Sequence, residues 1–289
     1  MSKIIKNLFL DVSKKIDYLH RNKFLHSSNI NRFNKLKNKF EKEIIKKTYK
    51  NLLIKLSDKF RNIKLKYFKM GKLNPTYLLG FNELIIFVFY LFNKKKYKKF
   101  IDIGGNIGLH SIIFDRLKVK VQAFEPDLLN YQEFKSNIAI NKCKRIKVNN
   151  TAISSEAGYK NFVRICDNTT GNHIQGKKKN LYGKLEIIKV KTEKISKYLI
   201  KECLVKIDAE GSELDILNSI DKKFYQYVDF ILEINNKHNA KEIFKLSKKF
   251  KFNIFSQKKS WNLAKSFQDL PSHHSEGSIL VTFDNFIEW

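Results

Sequence analysis

The residues with the most chemical character gather at three points along the chain. Residues 100–108 read FIDIGGNIG, an apolar run that enters a glycine-rich turn and then opens a helix. Gly104, Gly105 and Gly108 let backbone approach a ligand without a Cβ in the way, and the free N–H groups at the helix opening beside Asn106 suit an anionic group. A dinucleotide fingerprint needs glycine at 104, 106 and 109, where this chain has Gly104, Asn106 and Leu109, which weakens a hydride-transfer reading. A phosphate loop needs Lys-Ser or Lys-Thr after its glycines, and Leu109-His110 follows instead, which excludes that class. The second point is Glu125, 23 residues after Asp102, ending the next apolar run ahead of Pro126-Asp127. A carboxylate there is placed to accept both hydroxyls of a ribose. The third is residues 205–213, VKIDAEGSE, which puts Asp208 and Glu210 at the end of another apolar run. Open α/β sheets bind ligands at such strand ends, and either carboxylate suits a general base.

Histidine offers other bases. His173 lies in the polar loop TTGNH, which can cover the mouth of a site, and His273 and His274 are its rivals. His110, in the first turn of the glycine-loop helix, reads as structural. Asp208, Glu210 and Glu233 could share a hard cation, but no spacing demands one and no metal is expected. Cys143, Cys166 and Cys203 form no CxxC pair, so they read as reduced thiols.

Bringing these groups together requires strands whose ends meet. Residues 100–103, 119–124, 146–149, 204–207 and 230–234 are short apolar runs, and helical patterns at 109–117, 127–141 and 213–220 alternate with them. Such alternation predicts an α/β domain with a mostly parallel sheet covered on both faces. Residues 159–165 and 185–190, with no helix between them, predict an antiparallel insertion beside the site, and 278–283 a last strand. In front, residues 1–74 form a lysine-rich arm, and 75–289 the main domain. Ile45, Tyr49, Leu52, Leu56, Phe60, Ile63 and Tyr67 recur at steps of three and four, which predicts one amphipathic helix in the arm. Asn74-Pro75 turns the chain into a further helix over 77–92. Its apolar core, Leu84 to Phe92, is nine residues, under half of the roughly 20 a bilayer crossing needs. It therefore reads as a buried helix.

The glycine turn resembles motif I of S-adenosylmethionine-dependent methyltransferases. Together with the AFEPD stretch around Glu125, TAIS at 151–154 and the VKIDAEG run, it resembles the FkbM-type methyltransferase family over about residues 77–235. The resemblance implies a Rossmann-like methyltransferase fold with a reversed last hairpin, and S-adenosylmethionine as cofactor. It implies transfer to a hydroxyl of a carbohydrate or related small molecule. In this light Asp102 would meet the cofactor's ammonium, directly or through water, and Gly104, Gly105, Asn106, Gly108, Glu125 and Pro126 would surround its nucleoside end. Asp208, His173 and Glu210 are then the catalytic candidates. Gly105 stands where the family usually has alanine, which reads as harmless. The arm has no counterpart in the family.

The formal charge is +29, yet only six of the 57 cations are arginine. Dedicated phosphate readers lean on arginine's planar fork, and Lys, Asn, Ile and Phe share A- and T-rich codons, so the excess reads first as coding bias. Through residue 98, 25 basic residues face six acidic ones. An RNA methyltransferase using this arm and a non-catalytic adenosine-binding protein are the alternatives, but stacking sites interleave aromatics with the cations, whereas here the aromatics lie on the apolar stripe. No stable nucleic-acid partner is expected. The N-terminus lacks the unbroken apolar core of a secretory signal, which points to the cytoplasm.

Overall fold

The computed structural model describes residues 8–45, 51–59, 61–66, 76–166, 169–177, 183–234 and 236–288. The front of the chain gives strands β1 (Leu8–Asp11), β2 (Asn51–Lys55) and β3 (Ile63–Lys66) and helices α1 (Ser13–Arg21), α2 (Asn31–Ile45), α3 (Thr76–Leu79) and α4 (Phe81–Asn93). The main domain then alternates β4 (Lys99–Ile103), α5 (Leu109–Arg116), β5 (Lys120–Phe124), α6 (Leu128–Ile140) and β6 (Ile146–Asn149). An insertion of β7 (Ala152–Ile153), β8 (Gly158–Ile165), β9 (His173–Ile174) and β10 (Leu185–Glu193) follows. The chain ends with β11 (Cys203–Ile207), α7 (Glu213–Asn218), β12 (Val228–Glu233), α8 (Lys237–Phe250), β13 (Asn253–Ser256), β14 (Asn262–Leu263) and β15 (Ser278–Thr282).

The large sheet runs β14-β13-β15-β12-β11-β4-β5-β6. The five strands from β12 to β6 are mutually parallel, and β15 runs antiparallel between β12 and β13. Their near-continuous apolar sequence follows from cover on both faces. Phe100, Val121, Leu204 and Leu280 face a core shared with α4 and α5, and Ile101, Val205, Phe230 and Val281 face a second core with α7 and α8. Because β4 pairs with β5 on one side and β11 on the other, the chain leaves it toward opposite edges. That switch point opens a crevice at the strands' carboxyl ends. The Rossmann-like architecture expected of the sequence is thus present, and so is the antiparallel insertion, with β8 against β10.

The single amphipathic helix expected over 45–67 is not. Residues 51–55 and 63–66 are strands, with β2 antiparallel to β3 and parallel to β1. Leu52, Ile54, Leu56, Ile63 and Leu65 are buried, a two-residue period that the three- and four-residue steps partly overlap. Ser57-Asp58 between the runs favours a turn, and β-branched Ile54 and Ile63 favour strands. Residues 46–50, 60 and 67–75, including Tyr49, Phe60, Tyr67 and the expected boundary near 74, lie outside the described residues. The helix expected over 77–92 is divided at Gly80, where a Cβ would meet the Thr76 carbonyl oxygen at 2.5 Å.

The front segment shares its core with the main domain: Val12, Phe33 and Ile54 pack in one cluster with Phe87 and Phe114. Its edge strand β3 docks on α6 through side chains. Asn141 Oδ1 accepts from Lys64 N at 2.9 Å while its Nδ2 donates to Lys64 O at 2.6 Å, so one amide stands in for a neighbouring strand. Arg116 Nη2 also donates to Asn141 Oδ1 at 3.0 Å. Asn141→Ala would leave Lys64 N and Lys64 O without this partner, while Arg116 Nη2 keeps its bond to the Asn141 carbonyl at 3.1 Å, and leaving polar groups unpaired in a partly buried contact costs about 1–3 kcal/mol each. A loss of about 2–3 kcal/mol in urea unfolding is expected; an unchanged midpoint would contradict this docking.

Candidate active site

The crevice at the carboxyl ends of β4, β5, β11 and β12 is a cleft of about 570 Å³, within the roughly 300–1,000 Å³ usual for small-molecule sites. Its floor is the glycine turn. Gly104 has φ 74° and Gly108 φ 91°, both left-handed, and both amides of Gly104 and Gly105 donate to the Phe124 carbonyl at 3.0 Å. A Cβ on Gly104 would stand 2.0 Å from the Asp208 carbonyl oxygen. The Phe134 ring fills the space behind: a Cβ would meet it at 2.7 Å from Gly105 and 2.1 Å from Gly108. In this chain, then, alanine at Gly105 is not the neutral exchange expected, because Phe134 occupies the methyl's place.

Glu125 lines the cleft at the end of β5. Its Oε2 accepts from Asn106 N at 2.8 Å and its Oε1 from Asp127 N at 2.9 Å, so it stitches the glycine turn to the next loop. Each oxygen keeps a second lone pair for a ligand hydroxyl. Burial pushes its carboxyl up to about 8, against the pull of the Asp127 and Asn106 amides. Pro126 and residues 151–153 continue this wall. Asp127 caps α6, accepting from Leu129 N at 2.8 Å, and also accepts from Arg164 Nε at 2.5 Å, which clamps the insertion over the site.

Beyond the turn the wall becomes acidic. Asp208, Glu210 and Glu233 line it from the ends of β11 and β12, and Glu83 from α4. Glu210 (φ 48°) and Gly211 (φ 102°) turn the chain so that Glu210 shares the mouth with Asp208. Glu213 holds this turn, its Oε1 accepting from Ala209 N at 3.1 Å and Gly211 N at 3.0 Å. The carboxylate at the opening of α7 is Glu213, which burial pushes up to about 7. Lys206 lies among these acids, its Nζ 3.0 Å from Asp208 Oδ2 and 4.0 Å from Asp102 Oδ1. Burial works against its charge, but Asp208, Asp102 and Glu83 hold its ammonium above the usual lysine range. Glu233 is raised well above the carboxylate range by burial, then by Asp208, Glu83 and Glu210.

Several expected residues stand apart. Asp102 is fully buried and is not part of the cleft lining; Ser111 Oγ donates to its Oδ2 at 2.7 Å, so it supports Lys206 and the turn from behind. His173 is 1% exposed and its Nδ1 is held against Gly171 O at 2.9 Å. Its neighbours Asn172 and Ile174 line the cleft while His173 does not, as strand alternation requires. Of the rival histidines, His274 lines the cleft and His273 does not. His110, read as structural, lines it too, with Nδ1 3.0 Å from the Tyr90 hydroxyl and Nε2 3.0 Å from Glu83 Oε2. Sequence reasoning missed Glu83, although a lone carboxylate in the most apolar helix was a signal for it. Among the described residues, no group of three or more His, Cys, Asp or Glu side chains is arranged to hold a metal ion.

A parallel sheet with a glycine turn, a ribose-type carboxylate and a further carboxylate strand at its switch point defines a nucleoside-cofactor enzyme. Residues 102–267, more than half of the chain, match the Methyltransferase FkbM domain, and the chain belongs to that family. It is an S-adenosylmethionine-dependent methyltransferase. Among solved structures, it is similar to a precorrin-6y methyltransferase from Geobacter metallireducens at 10% identity and TM-score 0.33, covering 55% of this chain and 65% of that one. It is also similar to the N-terminal domain of human METTL16 in complex with SAH at 14% identity and TM-score 0.36, covering 71% and 70%. The chain thus spans just under two thirds of the precorrin enzyme. No curated protein matches it.

The lining fits the cofactor. Among the described residues, Asn106 Oδ1, Asn130 Oδ1 and Ser212 Oγ are buried without a hydrogen-bond partner, and all three residues line the cleft, which leaves polar atoms for a ligand to satisfy. Glu125 also gives a pH signature. Its folded carboxyl titrates above the ordinary value of 4.5, at about 8, so its share of stability is complete below about pH 4.5 and is lost as pH rises through about 8. Urea unfolding of ligand-free wild type and Glu125→Gln at about pH 5 and 9 measures this: the wild type should lose more stability over that range than the variant. Parallel pH dependences would contradict the burial of that charge.

Proposed function

We propose that this enzyme methylates a hydroxyl oxygen of a carbohydrate or related small molecule. The observation that carries the reading is the carboxylate-lined half of the cleft beyond the glycine turn. Sugar hydroxyls are donors that pair with such carboxylates, whereas a phosphodiester chain would be repelled there. The same wall argues against a stable nucleic-acid complex at the site, despite the chain's +29 charge.

When bound, S-adenosylmethionine supplies a methyl group made electrophilic by its sulfonium. In this reading Glu125 accepts the ribose hydroxyls, the 151–153 segment and Pro126 flank the base, and the Gly104–Gly105–Asn106 backbone faces the sugar. Gly108 opens the space for Phe134, and Asp102 acts at one remove through Lys206. Asp208, oriented by the Lys206 ammonium at 3.0 Å, would take the proton that the acceptor hydroxyl gives up. Glu210 and Glu233 hold the remaining hydroxyls. Placing the reacting atoms in line supplies most of the acceleration, and the base adds to it. His173, buried behind the loop, has no part in this account. Residues from about 75 onward carry cofactor and base, and the front segment adds Lys37 and Glu41 to the wall. The compartment proposed is the cytoplasm.

Incubation with methyl-labelled cofactor and a panel of glycans, small phenols and RNA tests the assignment. Label on a sugar hydroxyl is expected. Asp208→Asn should bind S-adenosylhomocysteine within about twofold of wild type while turnover falls by roughly 100-fold or more. Label on RNA or protein alone, or full turnover in the variant, would overturn it.

A further inference from the structure

One stripe of α4 is built around an imidazole. Glu83, Phe87 and Tyr90 follow one another at steps of four and three residues, so they share one face of the helix. All three meet His110, which stands in the first turn of α5, just past the glycine turn. Glu83 Oε2 lies 3.0 Å from its Nε2, the Tyr90 hydroxyl lies 3.0 Å from its Nδ1, and the Phe87 ring meets the imidazole edge-on at 5.3 Å. Tyr90 is fully buried, and burial, then Asp102 and Glu83, hold its hydroxyl well above the usual tyrosine range, so it stays a donor. A hydroxyl that donates to Nδ1 leaves the ring's proton on Nε2, aimed at Glu83. A carboxylate held in this way stays an acceptor, and with Oε2 toward His110 its Oε1 is left for a ligand. Glu83 and His110 both line the cleft.

The amino-acid end of the cofactor needs such a group. Asp102, the partner expected for its ammonium, is fully buried, stands outside the lining and is engaged by Ser111 Oγ at 2.7 Å. Lys206, which does line the cleft, holds its Nζ 4.0 Å from Asp102 Oδ1, and one cation there repels another. The other lining carboxylates are committed. Asp208 is paired with Lys206 at 3.0 Å, Glu233 is pushed toward its neutral form by burial, and Glu210 already interacts within the protein. Glu41 accepts from Phe81 N at 3.4 Å, and Glu125 lies at the ribose wall. The glycine turn joins that wall to Glu83: Asn106 N is bonded to Glu125 Oε2 at 2.8 Å, and four residues on His110 stands against Glu83.

We infer that Glu83, held by His110 and Tyr90, receives the α-ammonium of S-adenosylmethionine. Glu83 is then a binding residue of the cofactor, and His110 and Tyr90 are positioning residues that act through it. All of this is built from α4 and the opening of α5, and Glu83 itself lies ahead of the family match at residues 102–267. The inference rests on the cofactor's place in this cleft and is independent of the acceptor.

Two ligands separate this contact from a merely structural role. S-adenosylhomocysteine carries the ammonium, whereas methylthioadenosine keeps the nucleoside and the sulfur without the amino-acid end. Both are titrated calorimetrically against the full chain as wild type, Glu83→Gln and His110→Asn, with thermal midpoints measured alongside. Glu83→Gln should weaken S-adenosylhomocysteine by about tenfold or more, because a hydrogen bond between charged groups is lost, and should leave methylthioadenosine within about twofold. His110→Asn should show the same pattern at smaller size, and it decides the question if Glu83→Gln does not fold. Equal losses on both ligands, or undiminished S-adenosylhomocysteine affinity in Glu83→Gln, overturn the inference. So does a ligand-selective loss in Asp102→Asn in place of Glu83→Gln. Wild type that binds neither ligand removes the inference together with the cofactor site.

Discussion

The site depends on how closely two strand ends approach. Asp208 N donates to Ile103 O at 3.1 Å, and Gly104 lies so near the Asp208 carbonyl that a Cβ would fall 2.0 Å from its oxygen. Glycine alone meets both that contact and a φ of 74°. The contact sets the spacing between the glycine turn and the carboxylates Asp208 and Glu210 that line the cleft beyond it. Behind it, Lys206 ties Asp102 of β4 to Asp208 beyond β11, and Phe134 wedges the turn from α6. That spacing is built into backbone and buried ion pairs, and little is left to flexible side chains.

Such buried charges are stabilising only when partnered. Each group here has a partner of stated kind: Ser111 and Lys206 for Asp102, backbone amides for Glu125 and Glu213. Among the described residues that line the cleft, carboxylates outnumber lysines, in a chain that is otherwise strongly basic.

Much of this was legible in the sequence because the informative residues are local. The glycine turn, Glu125 and the Asp208–Glu210 run each sit at the end of an apolar strand, and the parallel sheet follows from strands and helices in alternation. What was not legible depended on contacts distant in sequence. Leu52, Leu56 and Ile63 fit a helical period and a strand period, and pairing with β1 and docking on Asn141 decided for strands. His173 stood in a promising loop, but strand alternation turned it inward. Glu83 and His110 joined the site only because α4 packs beside α5.

The central claim is that one cleft holds the cofactor's nucleoside on Glu125 and presents its sulfur to the Asp208 side. A crystal structure of the chain with S-adenosylhomocysteine bound tests it most directly. The account predicts both ribose hydroxyls on the Glu125 carboxylate, backbone of Gly104 and Gly105 against the sugar, and the sulfur opening toward Asp208, Glu210 and Glu233. A nucleoside bound elsewhere, or a sulfur turned away from those carboxylates, would contradict it.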